Sequence, residues 1–359
     1  MLARISLSLA AVALALPVGG TAAAAAVAIP ATPAQGYVQT NLVSDQAGQA
    51  LVTDPNLVNP WGLSNAPTSP LWVSDNGADV STLYTAADGA TPAIVPLVVS
   101  IPGGAPTGQV FNATGQFWLP GGNPALFIFA GENGMISAWN KDQGTAAVLV
   151  ASTKNAVYKG LAIQPFPNFP RLLAANFNSG RIDVFGKAFH PVNLGPSAFW
   201  DSTMPKGYAP FNVAVVGNRV FVSYAKQDPT RHDDVSGAGH GFIDVYSADG
   251  RLLSRFAKRG VLNSPWGLTI APAGFGAFAG DLLVGNFGDG RIHAYNPWTG
   301  HLVGTLRDSS GAPIWIDGLW ALMPGNGTSA PANQVWFSAG PGGEAHGLLG
   351  TLRSAATIG

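Results

Sequence analysis

Residues 59–77 read NPWGLSNAPTSPLWVSDNG, and residues 263–290 read NSPWGLTIAPAGFGAFAGDLLVGNFGDG. Both stretches contain Pro-Trp-Gly-Leu, a turn, an apolar run and then an Asn-Gly or Asp-Gly pair. The apolar runs have the length of a strand, and the Gly-containing pairs suit tight turns between antiparallel strands. The recurrence of one motif far along the chain indicates an internal repeat.

Six such units can be aligned, each of about fifty residues, a length typical of propeller blades. Their second apolar runs are LWVSDNG (71–77), LFIFAGENG (126–134), RLLAANFNSG (171–180), RVFVSYAKQD (219–228), DLLVGNFGDG (281–290) and QVWFSAGPGG (334–343). A third run follows each Gly-rich turn, and the stretches between units supply a fourth. We therefore predict an all-β fold, a six-bladed β-propeller with four-stranded blades. The segment GYVQTNLVSD (36–45) is predicted to be the outer strand of the last blade, which closes the ring.

Composition limits the function. The chain has 359 residues, 47% of them hydrophobic, which is ample for a large core. Eighteen basic and nineteen acidic residues leave a formal net charge of −1, and no basic stripe is present, so nucleic acid is not expected as a partner. The chain has no Cys, which excludes disulfides, thiol catalysis and thiolate metal sites.

The amino terminus predicts export. Residues 1–26 combine Arg4, an apolar run from Ile5 to Val18 and small residues suited to signal peptidase. The alternative is a membrane anchor, but the run breaks at Pro17, short of the roughly 20 residues that span a bilayer. We expect residues 27–359 to form one propeller domain, a monomer without a membrane span. Its location would be the periplasm, the cell surface or the medium.

Three segments carry a resemblance. They are NPWGL with WVSDNG, the stretch YAKQD…HDDVSGAGHGFIDVY (224–246), and FSAGPGGEAHGLLG (337–350). Together they resemble an uncharacterised bacterial family of exported proteins, some of which carry a PEP-CTERM sorting signal. More distantly, the chain is similar to NHL-repeat and gluconolactonase-type propellers. The resemblance implies an exported propeller without an established activity. The chain ends in TLRSAATIG, without the anchor helix of the sorted members, which argues against surface attachment by that route.

Polar side chains, many of them oxygen-bearing, gather where loops are predicted to open on one face of the ring. The positions that lead into the inner strands are Asn59, Asn112, Lys159, Asn212, Asn263 and Asp317. Calcium takes roughly six to eight oxygen ligands, so it is the candidate cofactor. The predicted ligands are Glu132, Asn176, Asn212 and Asp317, and the resemblance to calcium-dependent lactonases implies the same set. The alternative is that Asn and Asp simply stabilise tight turns, an explanation that fits Glu132 and Asp317 least.

A polar insertion at about residues 225–241 interrupts the fourth unit. Candidate binding residues lie in this insertion and in the last unit: Lys226, Asp228, Arg231, His232, Asp233, Asp234, His240, Glu344 and His346. The insertion is either a lid over the channel or a solvated ionic loop. His232 with the two following Asp residues is a candidate metal ligand or general base. Trp118, Trp200 and Trp298 lie in predicted loops, where they are candidates for stacking on a sugar ring.

Two functions remain open from the sequence. The first is a binding module for a small molecule, glycan or protein, using the channel mouth and the insertion as a lid. The second is a calcium-dependent hydrolase of the lactonase or esterase kind. The sequence contains no Gly-x-Ser-x-Gly elbow. Binding is preferred because no catalytic acid–base pair is evident, and no catalytic residue is predicted.

Overall fold

The computed structural model describes residues 36–87 and 91–355, so the signal sequence predicted at residues 1–26 lies outside the described part. Six sheets are formed in the described part, and their inner strands contact one another in sequence around a ring. The predicted six-bladed β-propeller is therefore confirmed. Among residues 36–87 and 91–355, no helix combines the length and apolar character needed to cross a membrane.

The strands follow in chain order, beginning with two that precede the first blade: β1 (Tyr37–Ser44) and β2 (Val52–Thr53). Blade 1 contains β3 (Pro60–Ser64), β4 (Leu71–Asp75), β5 (Val80–Thr85), β6 (Ala93–Ile94) and β7 (Val99–Ser100). Blade 2 contains β8 (Pro106–Phe111), β9 (Phe127–Gly131), β10 (Met135–Trp139) and β11 (Val148–Ser152). Blade 3 contains β12 (Tyr158–Gln164), β13 (Arg171–Asn176) and β14 (Arg181–Phe185).

Blade 4 contains β15 (Tyr208–Val216), β16 (Arg219–Lys226), β17 (Gly241–Ser247) and β18 (Leu252–Lys258). Blade 5 contains β19 (Pro265–Ile270), β20 (Leu282–Asn286), β21 (Ile292–Tyr295) and β22 (Leu302–Thr305). Blade 6 contains β23 (Leu319–Pro324), β24 (Val335–Ala339) and β25 (Leu348–Ser354). Short 3-10 helices in the described residues are Asn76–Ala78, Lys141–Gln143 and Gly276–Phe278.

The outer edges of the blades differ. In blade 6, β1 pairs antiparallel with β25, with Tyr37 opposite Ser354, so the predicted closure of the ring is confirmed. The Tyr37 hydroxyl also donates to the Phe275 carbonyl, 3.0 Å away, and ties this closing strand to blade 5. In blade 3, a single bridge between Phe185 and Pro191 occupies the outer position. The bridge is flanked by hydrogen bonds from Gly186 N–H to the His190 carbonyl and from Val192 N–H to the Val184 carbonyl. Pro191 is in the non-hydrogen-bonded pair between them, where its missing N–H costs no ladder bond.

The Pro-Trp-Gly-Leu motif recurs because its Trp side chains pack together at the centre of the ring and its Gly lets neighbouring blades approach closely. Its Trp residues, Trp61 and Trp266, pack with Trp320 of β23, and the Trp61 and Trp320 rings stack with centroids 3.5 Å apart. The following glycine permits close approach of neighbouring blades, since a Cβ on Gly62 would lie 2.4 Å from the Thr107 carbonyl oxygen. The aromatic rings fill the channel near one end. A cavity of about 340 Å³ lies between the inner strands toward the other end.

Candidate functional site

One end of the ring gathers the polar loops. The loops into the inner strands and the turns between second and third strands open at this end, which we call the upper face. Six of its residues come from blades 1, 2, 3, 4 and 6 and are linked to one another by hydrogen bonds and ion pairs. We call them the mouth cluster: Asn59, Asn76, Glu132, Lys159, Asp233 and Glu344.

Lys159 is the centre of the mouth cluster. Its side chain is only 2% exposed, and its ammonium contacts the Glu132 carboxylate and lies 3.1 Å from Asp233 Oδ1. The same nitrogen lies 5.0 Å from the centroid of the Trp61 ring. Burial alone would lower the pKa of Lys159, but the two carboxylates more than offset this effect and its pKa is raised. Lys159 is therefore a permanent cation at neutral pH, held between two acids and an aromatic face.

The hydrogen bonds continue around the ring from Glu132. Asn76 donates to Glu132 Oε2 over 3.2 Å, and Asn59 donates to Glu344 Oε2 over 2.7 Å. Asn59 Oδ1 in turn accepts from the Trp320 indole N–H over 3.1 Å. This bond joins the mouth cluster to the Trp side chains packed in the channel. Burial raises the pKa of Glu344, and the neighbouring carboxylates of Glu132 and Asp233 raise it further.

The blade 4 insertion reaches the mouth through Asp233. Asp228 Oδ1 accepts from the backbone N–H groups of His232 (2.9 Å) and Asp233 (3.3 Å). These two hydrogen bonds hold the loop in a defined turn. His232 Nδ1 lies 2.9 Å from Asp233 Oδ1. Burial raises the pKa of Asp234, the next carboxylate, which also accepts from Ser236. The loop thus reaches the rest of the mouth cluster through the ion pair between the exposed Asp233 carboxylate and the buried Lys159 ammonium.

The four predicted calcium ligands have separate partners. Within the described residues, no hydrogen bond joins two of them, and only Glu132 belongs to the mouth cluster. Asn176 Oδ1 accepts from the Ser179 N–H over 3.2 Å, as a turn residue does. Asn212 donates to the Trp266 carbonyl over 2.7 Å, and Asp317 accepts from the Gly342 N–H over 2.9 Å. The calcium set remains a prediction.

A different group of ligand atoms lies together. One atom each from Glu132, His232 and Asp233 lies within 4.8 Å of the other two. These residue types could hold a divalent cation. However, the Lys159 ammonium contacts two of the three, so a positive charge is already present among them.

The remaining candidates lie away from Lys159. His346 Nδ1 lies 2.9 Å from Asp45 Oδ2, and His240 Nδ1 lies 2.7 Å from the Val235 carbonyl. Lys226 is the last residue of β16, and Arg231 lines a separate cavity described below.

Lys159 was placed among the positions that lead into the inner strands, but it was not predicted to bind a metal or a ligand, although a signal was present. In the strand register it lies at the shift of its inner strand, the position that the other five blades fill with Trp61, Thr107, Phe211, Trp266 and Trp320. Asn112 instead follows the inner strand β8, and Asn212 lies within β15. A basic residue at one of six equivalent positions is the departure that could have identified it.

Comparison with known proteins places the chain in a family. No family model matches it. An Acanthamoeba polyphaga mimivirus protein, "Uncharacterized protein R648", is 32% identical over 323 residues, which cover 87% of this chain and 78% of the relative. A second mimivirus protein, "Uncharacterized protein L690", is also 32% identical and is covered to 84%. The chain belongs to the family of these uncharacterised proteins. Membership of a bacterial exported family remains a prediction, since these relatives are viral.

The solved structures that resemble this chain are propellers, and their sequences are only 10–14% identical to it. A streptogramin B lyase aligns with a TM-score of 0.51 at 11% identity, over 89% of this chain and 97% of that one. A Bacteroides thetaiotaomicron protein of unknown function aligns with a TM-score of 0.54 at 10% identity, over 89% and 76%. A Xanthomonas campestris gluconolactonase gives a TM-score of 0.41 at 14% identity, over 64% and 82%, and carries no inference. These similarities show the fold alone.

Proposed function

We propose that this protein is an exported ligand-binding propeller that takes a small organic cation at the mouth cluster, beneath the blade 4 loop. The observation that carries the proposal is an excess of acid at this site. Glu132 and Asp233 contact the single ammonium of Lys159, and two further carboxylates, Asp234 and Glu344, are near enough to feel its charge. An uncompensated negative potential in a recess raises the local concentration of cations.

The chemistry around Lys159 indicates which cation would suit the site. An ammonium already rests there between carboxylates and the Trp61 ring, and carboxylates with an aromatic face are general recognition elements for ammonium groups. Glu344 Oε2 accepts from Asn59, which orients its carboxylate. We infer that a ligand ammonium binds beside Glu344 and Asp234. Glu132 remains paired with Lys159.

Calorimetric titration tests this proposal. The probes are 1,4-diaminobutane and tetramethylammonium, with acetate as the anionic control. Glu344→Gln and Asp234→Asn are each expected to weaken amine binding roughly tenfold, on the order of 1.4 kcal/mol. Asp249→Asn, in the exposed turn between β17 and β18 at the opposite end of blade 4, is the matched control and should bind as the parent does. Absence of amine binding, or equal affinity in all three variants, would contradict the proposal.

A second candidate function is the calcium-dependent lactonase or esterase. It is favoured by the close approach of Glu132, His232 and Asp233. A metal there would polarise an ester carbonyl. Thermal melts after EDTA treatment, with calcium, magnesium or zinc restored, test this candidate, because binding to the native state raises the midpoint. Loss of the shift in His232→Ala would assign the metal to this group, whereas loss in Asp317→Asn would assign it to the predicted calcium set. No shift with any metal would exclude both.

Export is tested separately from ligand binding. Expression of the full chain and of a chain lacking residues 1–26, followed by cell fractionation, should place only the full chain outside the cytoplasm. Equal distribution of the two would contradict a signal function.

A further inference from the structure

A second cavity opens on the upper face, between blades 3 and 4. Its volume is about 450 Å³, within the range of small-molecule sites. It is lined by the β13–β14 turn (178–180), the segment before β15 (199–208), Tyr224 of β16 and two residues of the insertion, Gln227 and Arg231. None of the mouth cluster residues lines it. We call it the side pocket.

The charge of the side pocket is positive. Lys206 and Arg231 are both exposed, and neither makes a side-chain hydrogen bond or ion pair with any described residue. Asp201 is the acidic residue in the lining, and its carboxylate is buried and already engaged. It contacts Arg255 and accepts from Thr203 over 2.7 Å. Two cations are therefore left to meet a ligand.

One wall of the side pocket is an indole. Trp200 is 44% exposed, and the Arg181 guanidinium carbon lies 4.1 Å from its ring centroid. Arg181 also donates to the Pro196 carbonyl over 3.0 Å, so it holds the ring in place from one side. Trp200 also lines the side pocket, so its exposed surface is available to a ligand ring there. A fixed, partly exposed indole beside cations suits a flat or pyranose ring that carries an acid.

The remaining lining combines apolar residues, Phe199, Met204 and Pro205, with polar ones. It offers the side chains of Asn178, Ser179, Ser202 and Gln227. Gln227 Nε2 donates to the Phe177 carbonyl over 2.5 Å, which fixes its amide. An apolar ring would desolvate these groups without replacing their hydrogen bonds, whereas ring hydroxyls would pair with them. These polar side chains therefore favour a hydroxylated ring over an aromatic acid.

We propose that the side pocket binds an acidic saccharide, a uronic acid or an oligosaccharide that contains one. The carboxylate pairs with Arg231 and Lys206, the ring stacks on Trp200, and the hydroxyls bond to the polar lining. Arginine binds a carboxylate through two parallel hydrogen bonds, which orients the sugar as well as holding it. This assignment does not depend on the function of the mouth cluster.

Titration with D-glucuronate, followed by calorimetry and tryptophan fluorescence, tests the proposal. D-glucose tests the need for the carboxylate, and benzoate tests the need for the hydroxylated ring. We expect saturable glucuronate binding that is at least tenfold tighter than that of either control. Arg231→Gln and Lys206→Gln, both exposed, should each weaken it about tenfold, and Trp200→Ala should abolish it.

The chain provides a matched control for Trp200. Trp298 is 78% exposed and stacks on Arg219 at 4.3 Å, and Arg219 likewise donates to a proline carbonyl, that of Pro297. Trp298→Ala should leave glucuronate binding unchanged, as should Glu344→Gln at the mouth. The proposal is overturned if no glucuronate binds, if glucose or benzoate binds as tightly, or if Glu344→Gln rather than Arg231→Gln removes binding.

Discussion

The mouth cluster and the side pocket share one loop but have opposite chemistry. His232, Asp233 and Asp234 face the acidic mouth, whereas Arg231, the residue before them, lines the basic pocket. Arg231 has φ 60°, a left-handed conformation, and its N–H bonds to the Asp228 carbonyl over 3.1 Å. This turn sends adjacent side chains in different directions. One insertion on a rigid scaffold can therefore supply two chemically distinct surfaces.

The two sites also differ in how far their charges are satisfied. In the mouth cluster, Lys159 binds two carboxylates and Glu132 accepts from both Lys159 and Asn76. In the side pocket, Lys206 and Arg231 have no such partners among the described residues. The mouth charges should therefore contribute to stability as well as binding, and the pocket charges to binding alone.

The largest expected effect is on stability, and it distinguishes the mouth charges from the side-pocket charges. Lys159→Met should destabilise the protein by about 3 kcal/mol or more, because Glu132 would be left as a largely buried carboxylate without its ammonium. Arg231→Met should change stability by no more than about 0.5 kcal/mol. Urea denaturation measures both. The double variant Lys159→Met/Glu132→Gln should regain most of the loss, and equal effects of the two single changes would remove the distinction between the sites.

The next effect concerns the loop itself. Asp233→Asn should weaken the contact with Lys159 and speed trypsin cleavage after Arg231 about tenfold, because local opening controls cleavage. Global stability should change by only about 0.5 kcal/mol, since the Asp233 side chain is 68% exposed. Asp249→Asn serves again as the control. Unchanged cleavage in Asp233→Asn would mean that the ion pair does not hold the loop.

The smallest effect is a pH dependence confined to the mouth. The pKa of Glu344 is raised by burial and by nearby carboxylates, so the folded protein holds this proton more tightly than the unfolded chain. Stability from this group is therefore present at acid pH and is lost as the pH rises through the raised pKa. Glu344→Gln should melt above the parent at about pH 8 and match it near pH 4.

Arg231→Gln in the side pocket should show no such trend. If the difference in melting temperature between the parent and Glu344→Gln were the same at every pH, the pKa of Glu344 would not be raised in the folded protein.

The fold could be predicted from the sequence because its determinants are local and repeated. Pro-Trp-Gly-Leu places an indole in the channel, and Gly62 fits where neighbouring inner strands nearly touch. The sites were harder to predict, because their contacts join distant positions. Lys159 meets Glu132 across 27 positions and Asp233 across 74, and no local pattern encodes such a pairing. Likewise, Trp200 was noted in a predicted loop, but Arg231, which lines the same cavity, belongs to another segment.

The pairing of β1 with β25 also sets an order of events during synthesis. Tyr37–Ser44 is the first of the described strands to be synthesised, and its partner Leu348–Ser354 is the last. The sixth sheet cannot be completed until nearly the whole chain is available, so ring closure should be a late and slow step. Until the ring closes, β1 lacks its partner and the completed β25 has an open edge, so pairing between two copies would produce a swapped dimer. Dilution during refolding should therefore favour the closed monomer.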